Sequence, residues 1–154
     1  MNGIAVTVDA VVFVDTPEGT AVLLIERANP PFQGRLALPG GFVDPGEDLP
    51  VAVARELEEE TGVTGVELTQ LGAYGTPGRD PRGHTVSIVY WGVADPSTRP
   101  VAGDDAARAR LVPLGEIGPD TLAFDHDMIL EDAVAALRRS RRPDQPKSTE
   151  ASSE

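Results

Sequence analysis

The sequence contains no cysteine, only two histidines, and no apolar run close to the roughly 20 residues that a membrane-spanning helix needs. The lack of cysteine excludes disulfide bonds, thiolate zinc sites and cysteine nucleophiles, and it is compatible with a reducing compartment. Residues 1–15 lack a basic segment and carry Asp9 inside their apolar run, which argues against a signal peptide. We therefore expect a cytoplasmic protein.

Positive charge is also scarce, with 13 Lys and Arg against 25 Asp and Glu and a net charge of −12. This balance argues against non-specific binding to nucleic acid or to anionic membranes, and at first sight against a polyanionic substrate. The length of 154 residues and the apolar fraction of 40% predict one globular domain. We place it at residues 1–142, because residues 143–154 have no apolar anchor and predict a disordered polar tail.

Runs of β-branched and apolar residues predict most of a β-sheet. Residues 3–14 and 20–26 are two such runs, and the turn-forming residues 15–19 between them predict a β-hairpin. Shorter stretches predict further strands at 36–38, 66–75, 84–94 and 109–112, and a turn of helix at 114–118.

Two segments have the composition of helices. Residues 48–61 carry Pro50 in the first turn, where its missing N–H costs nothing, and Gly62 follows just beyond the end. Residues 121–139 repeat apolar side chains near a period of 3.6. Strands, a helix, strands and a second helix are typical of an α+β or mixed α/β/α domain.

The first predicted helix has an acidic side. Glu56, Glu59 and Glu60 are spaced by three and four residues, so their carboxylates project from one side and repel one another. Carboxylates without a neighbouring imidazole or thiolate suit Mg²⁺ or Mn²⁺ better than zinc. A solvated acidic helix face is the alternative. The opposite side carries residues expected to pack on a sheet: Val53, Ala54 and Leu57.

The spacing around this helix favours the metal-binding interpretation. Gly41 is followed after five residues by Glu47, and after seven more by residues 55–63, RELEEETGV. This segment resembles the Nudix box, G-x5-E-x7-R-E-U-x-E-E-x-G-U with U a bulky aliphatic residue, and every fixed position is matched. The resemblance covers about residues 3–140. It implies an α/β/α sandwich around a mixed β-sheet and hydrolysis of a nucleoside diphosphate linked to another group.

The resemblance also implies roles for individual residues. Glu56, Glu59, Glu60 and the carbonyl of Gly41 would bind Mg²⁺, with Mn²⁺ as a substitute. Either Glu56 or Glu59 would take the proton of the attacking water. The remaining implied groups are Arg55, which would orient the glutamates, Glu47, which would lie near the metal or bond to Arg55, and Gly40 and Gly41, which would let substrate approach.

A general base could also come from outside the box. Asp104 and Asp105 stand in an acidic loop, although a plain turn or helix N-cap is the favoured explanation for them.

Three further segments, 28–44, 76–92 and 122–130, resemble small bacterial and archaeal ADP-ribose pyrophosphatases, which form AMP and ribose 5-phosphate. In the second, Arg79 and Arg82 are candidates for contacts to phosphate or ribose. A local ion pair with Asp80 is the alternative for Arg79. His84 and His126 are expected to be structural.

Other functions remain open. Leu36, Arg108 and Leu111 depart from residues common in the relatives, so an oxidised or normal nucleoside triphosphate or another sugar nucleotide could be the substrate. A different class is a non-catalytic ADP-ribose sensor of a transcription regulator. The complete box, and a short polar tail where regulators carry a DNA-binding domain, favour the enzyme. A homodimer is expected from the resemblance alone.

The negative charge is concentrated in the box. Residues 44–60 hold seven acidic residues and one basic residue, a net charge of −6 and half of the chain's surplus. Bound cations can invert the local field, so this acidity is compatible with a diphosphate substrate.

Overall fold

The computed structural model describes residues 3–101 and 108–143. It has one seven-stranded mixed sheet and two helices. The strands are β1 (Ala5–Thr16), β2 (Gly19–Glu26), β3 (Leu36–Ala37), β4 (Gly40–Phe42), β5 (Thr69–Tyr74), β6 (Thr85–Val93) and β7 (Ala109–Pro113). The helices are α1 (Leu49–Thr61) and α2 (His126–Ser140), with a 3-10 turn at Leu114–Glu116. In this part of the chain no helix has the length and apolarity to cross a membrane.

The strand β1 lies at the centre of the sheet. It runs parallel to β6 and antiparallel to β2 and β4. Successive side chains of a strand point to opposite faces, and both faces of β1 are buried. Val8 and Val12 pack in one apolar cluster with Leu57 of α1, whereas Val11 and Phe13 pack in another with α2. The predicted hairpin and the sandwich of two helices around a mixed sheet are confirmed.

The short strands β3 and β4 each pair with one of the two long strands of the hairpin. β3 pairs with the end of β2, and β4 pairs with Thr7–Asp9 at the start of β1. The sequence predicts a strand at 36–38 but not β4, because Gly40 and Gly41 have low strand propensity. Its backbone is instead held by pairing with Thr7–Asp9, a part of β1 that β2 does not reach.

The helix α1 ends as predicted and begins one residue later than the predicted 48–61, with Asp48 as its N-cap. The Asp48 side chain accepts a hydrogen bond from the Leu49 N–H at 2.9 Å. Gly62 has a φ of +75°, a left-handed conformation that favours glycine, and its N–H donates to the Glu58 carbonyl. The prediction for Ala54 is wrong, because it is exposed and Ala52 packs against the sheet instead.

The helix α2 begins five residues later than the predicted 121–139. Leu122 forms an isolated parallel bridge with Leu36, and the N–H of Ala123 donates to the Leu36 carbonyl at 2.8 Å. Phe124 then adopts a φ of +56°, which is incompatible with an α-helix. Pairing with a distant strand therefore replaces the first turn that the apolar periodicity indicates.

His126 is buried at the start of α2, as expected for a structural residue. Its Nδ1 accepts a hydrogen bond from the Leu38 N–H at 3.1 Å. Burial lowers the pKa of this imidazole below its ordinary value. Since the unfolded chain then binds the proton more readily, the free energy of unfolding falls as the pH drops below about 6.5.

The variant His126→Asn tests this titration, because its side-chain oxygen can accept the same N–H without binding a proton. Urea denaturation from pH 8 to pH 5 is expected to show wild type losing more stability than the variant as the pH falls. Comparing the two proteins cancels the titration of the other groups. A stability difference that stays constant across this range would contradict the prediction.

Candidate active site

The acidic side of α1 faces the two glycines of β4. The Gly40 N–H donates to Oε1 of Glu60 at 2.9 Å. At Gly41 an added Cβ would lie 2.5 Å from Oε2 of Glu56. A residue with a side chain at Gly41 would therefore displace a carboxylate of the cluster, which is a physical reason for glycine at this position.

Arg55 connects four acidic residues and the backbone of β4. Its Nε and Nη2 donate to the two oxygens of Glu47 at 2.6 and 2.8 Å, a bidentate pair. Its Nη1 donates to Glu56 at 3.0 Å and to Glu59 at 3.3 Å, and Nη2 also reaches the Phe42 carbonyl at 3.3 Å. The fourth acidic group is Asp44, with 3.6 Å between Nη2 and the nearest carboxylate oxygen. The guanidinium holds the pKa of Glu47 at about 2.

The ionised forms of the Glu56 and Glu60 carboxyl groups are destabilised by their surroundings. Burial raises the pKa of Glu56, and burial together with the nearby carboxylates of Glu56, Asp9 and Glu59 raises the pKa of Glu60 to about 7. A divalent cation would neutralise the negative charge that these carboxylates bury. The donors present, carboxylate oxygens beside a glycine carbonyl, are those that Mg²⁺ and Mn²⁺ prefer.

The acidic side chains of the cluster do not surround one common metal position. Within residues 3–101 and 108–143, no three acidic or histidine side chains converge as metal ligands. One oxygen of each carboxylate is engaged elsewhere, since Arg55 holds Oε2 of Glu56 and Oε1 of Glu59 and the Gly40 N–H holds Oε1 of Glu60. A bound cation would share the carboxylates of Glu56 and Glu59 with Arg55. The second candidate base, Asp104 or Asp105, lies outside the described residues.

Two neighbouring cavities border this cluster. The first, about 300 Å³, is lined by Glu56, Glu59 and Glu60 together with Arg27 and Arg108, and we call it the acidic cavity. The second, about 160 Å³, we call the aromatic cavity. Its lining includes Asp9, Gly40, Gly41, Phe42, Arg79, Asp80, Arg82, Phe124 and His126. Ile25, Arg27 and Glu60 line both cavities and mark their junction.

A family model described as the NUDIX domain matches residues 5–133. The chain belongs to the Nudix family. The predicted membership, fold class and assignment as a Nudix hydrolase are confirmed. Nudix hydrolases generally use a divalent metal ion, and this agrees with the donor set of the cluster.

Two relatives resemble most of this Nudix chain. An ADP-ribose pyrophosphatase of Methanocaldococcus jannaschii is 45% identical over 129 residues, which are 83% of this chain and 72% of that protein. The ADPR responsive transcriptional repressor NtrR of Acinetobacter baylyi is 34% identical over 138 residues, which are 88% of this chain and 55% of the repressor.

Solved structures share the fold. The NUDIX domain of Shewanella oneidensis NrtR, complexed with ADP ribose, has a TM-score of 0.81 and 34% identity, covering 89% of this chain and 90% of that one. A bifunctional NMN adenylyltransferase/ADP ribose pyrophosphatase of Francisella tularensis, complexed with AMP and a Mn ion, has a TM-score of 0.71 and 29% identity. This match covers 88% of our chain and 42% of the Francisella protein.

The two arginines predicted to contact substrate lie in the aromatic cavity of this Nudix domain, but both are ion-paired. Arg79 donates to both oxygens of Asp125 at 2.9 and 2.7 Å, and its side chain is only 5% exposed. Arg82 donates from Nε and Nη2 to the two carboxylate oxygens of Asp80 at 3.0 and 2.8 Å. Arg79 thus pairs with Asp125 and not with Asp80. His84 contacts the Gly75 carbonyl through Nε2 at 3.0 Å, as a structural residue would.

Sequence reasoning missed three residues beside the Nudix box: Arg27, Phe124 and Asp9. The buried Asp9 accepts a hydrogen bond from the hydroxyl of Ser87 and lies against Gly40. The available signal was an acidic residue within an apolar strand. Arg27 and Phe124 gave no comparable signal, because their neighbours come from distant parts of the chain.

Proposed function

We propose that this protein hydrolyses ADP-ribose to AMP and ribose 5-phosphate, with Mg²⁺ as the metal ion. One observation carries the proposal: the three glutamates of a complete Nudix box line a cavity that adjoins a second one, whose lining includes two aromatic residues and three arginines. The similarity to an ADP-ribose pyrophosphatase over 83% of this chain supports the choice of substrate.

Glu56, Glu59, Glu60 and the carbonyl of Gly41 would hold the metal. When bound, Mg²⁺ would neutralise phosphate oxygens and acidify a water molecule. Arg55 keeps the carboxylates of Glu56 and Glu59 on one side of the helix by hydrogen bonds to both. The proton acceptor would be Glu56 or Glu59, which line the acidic cavity.

A second function, the sensing of ADP-ribose without turnover, is favoured by one observation. The repressor NtrR is 34% identical to this chain over 138 residues. A protein of this kind would bind ADP-ribose through the same cavities and release it unchanged. The complete box favours the enzyme.

A substrate panel separates these functions. We expect kcat/KM with Mg²⁺ to be at least about tenfold higher for ADP-ribose than for NADH, diadenosine polyphosphates, GDP-mannose or the deoxynucleoside triphosphates, a ratio that a few well-placed contacts can supply. A higher kcat/KM for a triphosphate would contradict the proposed substrate. Tight binding of ADP-ribose without turnover of any compound would indicate the sensor. Removal of metal by EDTA should abolish turnover, and added Mn²⁺ should restore part of it.

The other expectations concern the whole protein. We propose a single Nudix domain over residues 1–142 and a homodimer. The cytoplasmic location and the lack of binding to nucleic acid stay predictions, as does the polar tail, of which residues 144–154 lie outside the described residues.

A further inference from the structure

Arg27 lies at the junction of the acidic and aromatic cavities, beside Glu60. Its Nε donates to the Pro31 carbonyl at 2.7 Å, and its Nη2 reaches the Asn29 carbonyl at 3.4 Å. The guanidinium carbon is 4.9 Å from the centroid of the Phe124 ring, a cation–π distance. These contacts fix the side chain just beyond the end of β2, where it lines both cavities.

The other arginines that line the two cavities are neutralised within the protein. Arg79 pairs with Asp125 at 2.7 Å, Arg82 with Asp80 at 2.8 Å, and Arg108 with Glu26 at 3.5 Å. No ion pair found among residues 3–101 and 108–143 includes Arg27. Its Nη1 also makes none of the hydrogen bonds found in these ranges.

A second positive charge lies beside it. The guanidinium carbon of Arg82 is 5.6 Å from the centroid of the same Phe124 ring, so two cations share one aromatic residue. Burial and the charge of Arg82 lower the pKa of Arg27, against the opposite effect of the Asp80 and Glu60 carboxylates. A half-buried cation next to another cation is stabilised by an anionic ligand more than by water.

We propose that Arg27 binds the diphosphate bridge of the substrate at the junction of the two cavities. The proposal rests on the function proposed above and names the group that recognises the bond to be cleaved. A planar guanidinium can donate two N–H groups to phosphate oxygens. The bridge would then lie beside Glu60, one of the residues that would hold the cation.

Two variants of Arg27 and one control test this role. Arg27→Gln keeps a donor for the Pro31 carbonyl and removes the charge, whereas Arg27→Lys keeps the charge. Arg35→Gln is the matched control. Its backbone carbonyl accepts the Arg27 N–H at 2.9 Å and its guanidinium stacks on Phe32 at 5.3 Å, but it is exposed and lines neither cavity.

Binding of the non-hydrolysable α,β-methylene analogue of ADP-ribose with Mg²⁺ is measured by calorimetry, alongside kcat and KM for ADP-ribose. We expect Arg27→Gln to weaken binding by about 10- to 100-fold, the loss typical of a charge-assisted hydrogen bond. Arg27→Lys should recover part of this loss, and Arg35→Gln should bind as wild type does. The decrease of affinity with rising KCl concentration should be shallower in Arg27→Gln than in wild type.

The outcomes separate the two proposals. The role of Arg27 alone would be overturned if the wild-type protein hydrolyses ADP-ribose and the Arg27→Gln variant binds the analogue as tightly as Arg35→Gln does. Equal losses in the Gln and Lys variants, with unchanged salt dependence and a lowered Tm, would also overturn it, since Arg27 would then only hold the loop. A wild-type protein inactive on every compound of the panel would contradict the proposed activity, while the binding comparison would still test Arg27.

Discussion

Replacing Glu60 by glutamine is expected to lower kcat for ADP-ribose by about 100-fold or more, while the metal-free protein becomes more stable at pH 8. Activity falls because the variant loses a carboxylate donor beside the cavity. Stability rises because a buried negative charge is removed from a cluster in which Glu56, Glu59 and Asp9 repel it. The Gly40 N–H keeps its acceptor, since the amide oxygen of glutamine replaces Oε1.

The direction of the pH dependence follows from the pKa of Glu60, which is about 7 in the folded protein against 4.5 for an ordinary glutamate. Below pH 4.5 the carboxyl is protonated in both states and destabilises neither. As the pH rises toward 7, the unfolded chain releases the proton first, so the free energy of unfolding falls. The variant should therefore gain about 1–3 kcal/mol over wild type at pH 8 in EDTA, and nothing near pH 4.5.

The matched control is Glu58→Gln, which removes the same charge from the same helix. Glu58 is exposed and lines neither the acidic nor the aromatic cavity. It should retain wild-type turnover and show no comparable gain in stability. Urea denaturation in EDTA and steady-state kinetics with Mg²⁺ measure both properties. An active Glu60→Gln enzyme, or one without the pH-dependent gain, would contradict the assignment of this residue.

The box could be predicted from sequence because its geometry is local. Glu56, Glu59 and Glu60 lie within five residues on one helix, so helical periodicity alone places them on the same side. The left-handed Gly62 follows from a residue preference of the same kind. Even the pair of Arg55 with Glu47 spans only eight residues.

The surroundings of the box could not be predicted in this way, because they depend on long-range pairing. Arg79 meets Asp125 across 46 residues, so the nearby Asp80 misleads a local interpretation. Asp9 reaches Gly40 only because β4 pairs with the start of β1. The junction at Arg27 needs the left-handed Phe124, whose position follows from the bridge to β3.

The charge of the chain is also clearer in three dimensions. The sequence puts a net −6 in residues 44–60. In the structure Arg55 partly neutralises Glu47, Glu56 and Glu59, whereas Glu60 is held by a neutral backbone N–H. The uncompensated charge is therefore concentrated at the junction with Arg27, where a cation and a diphosphate would together be neutralised.

Replacing Arg55 and Glu47 singly and together is expected to give non-additive losses of activity. Arg55 bonds both oxygens of Glu47, and the same guanidinium positions Glu56 and Glu59. Removing Arg55 leaves these carboxylates to repel one another, so Arg55→Ala should lower kcat by about 100-fold, the upper range for groups that orient metal ligands. Glu47→Gln weakens the anchor of Arg55 and should cost about tenfold.

The double variant distinguishes a positioning role from a direct one. If Glu47 acts through Arg55, the double variant should be no slower than Arg55→Ala, because the anchor has nothing left to hold. The concentration of Mg²⁺ for half-maximal activity should rise in Glu47→Gln, since a less firmly anchored Arg55 would hold the carboxylates of Glu56 and Glu59 less well in place for the metal. Losses that multiply to about 1,000-fold would show that Glu47 contributes independently of Arg55, either at the metal or at the substrate.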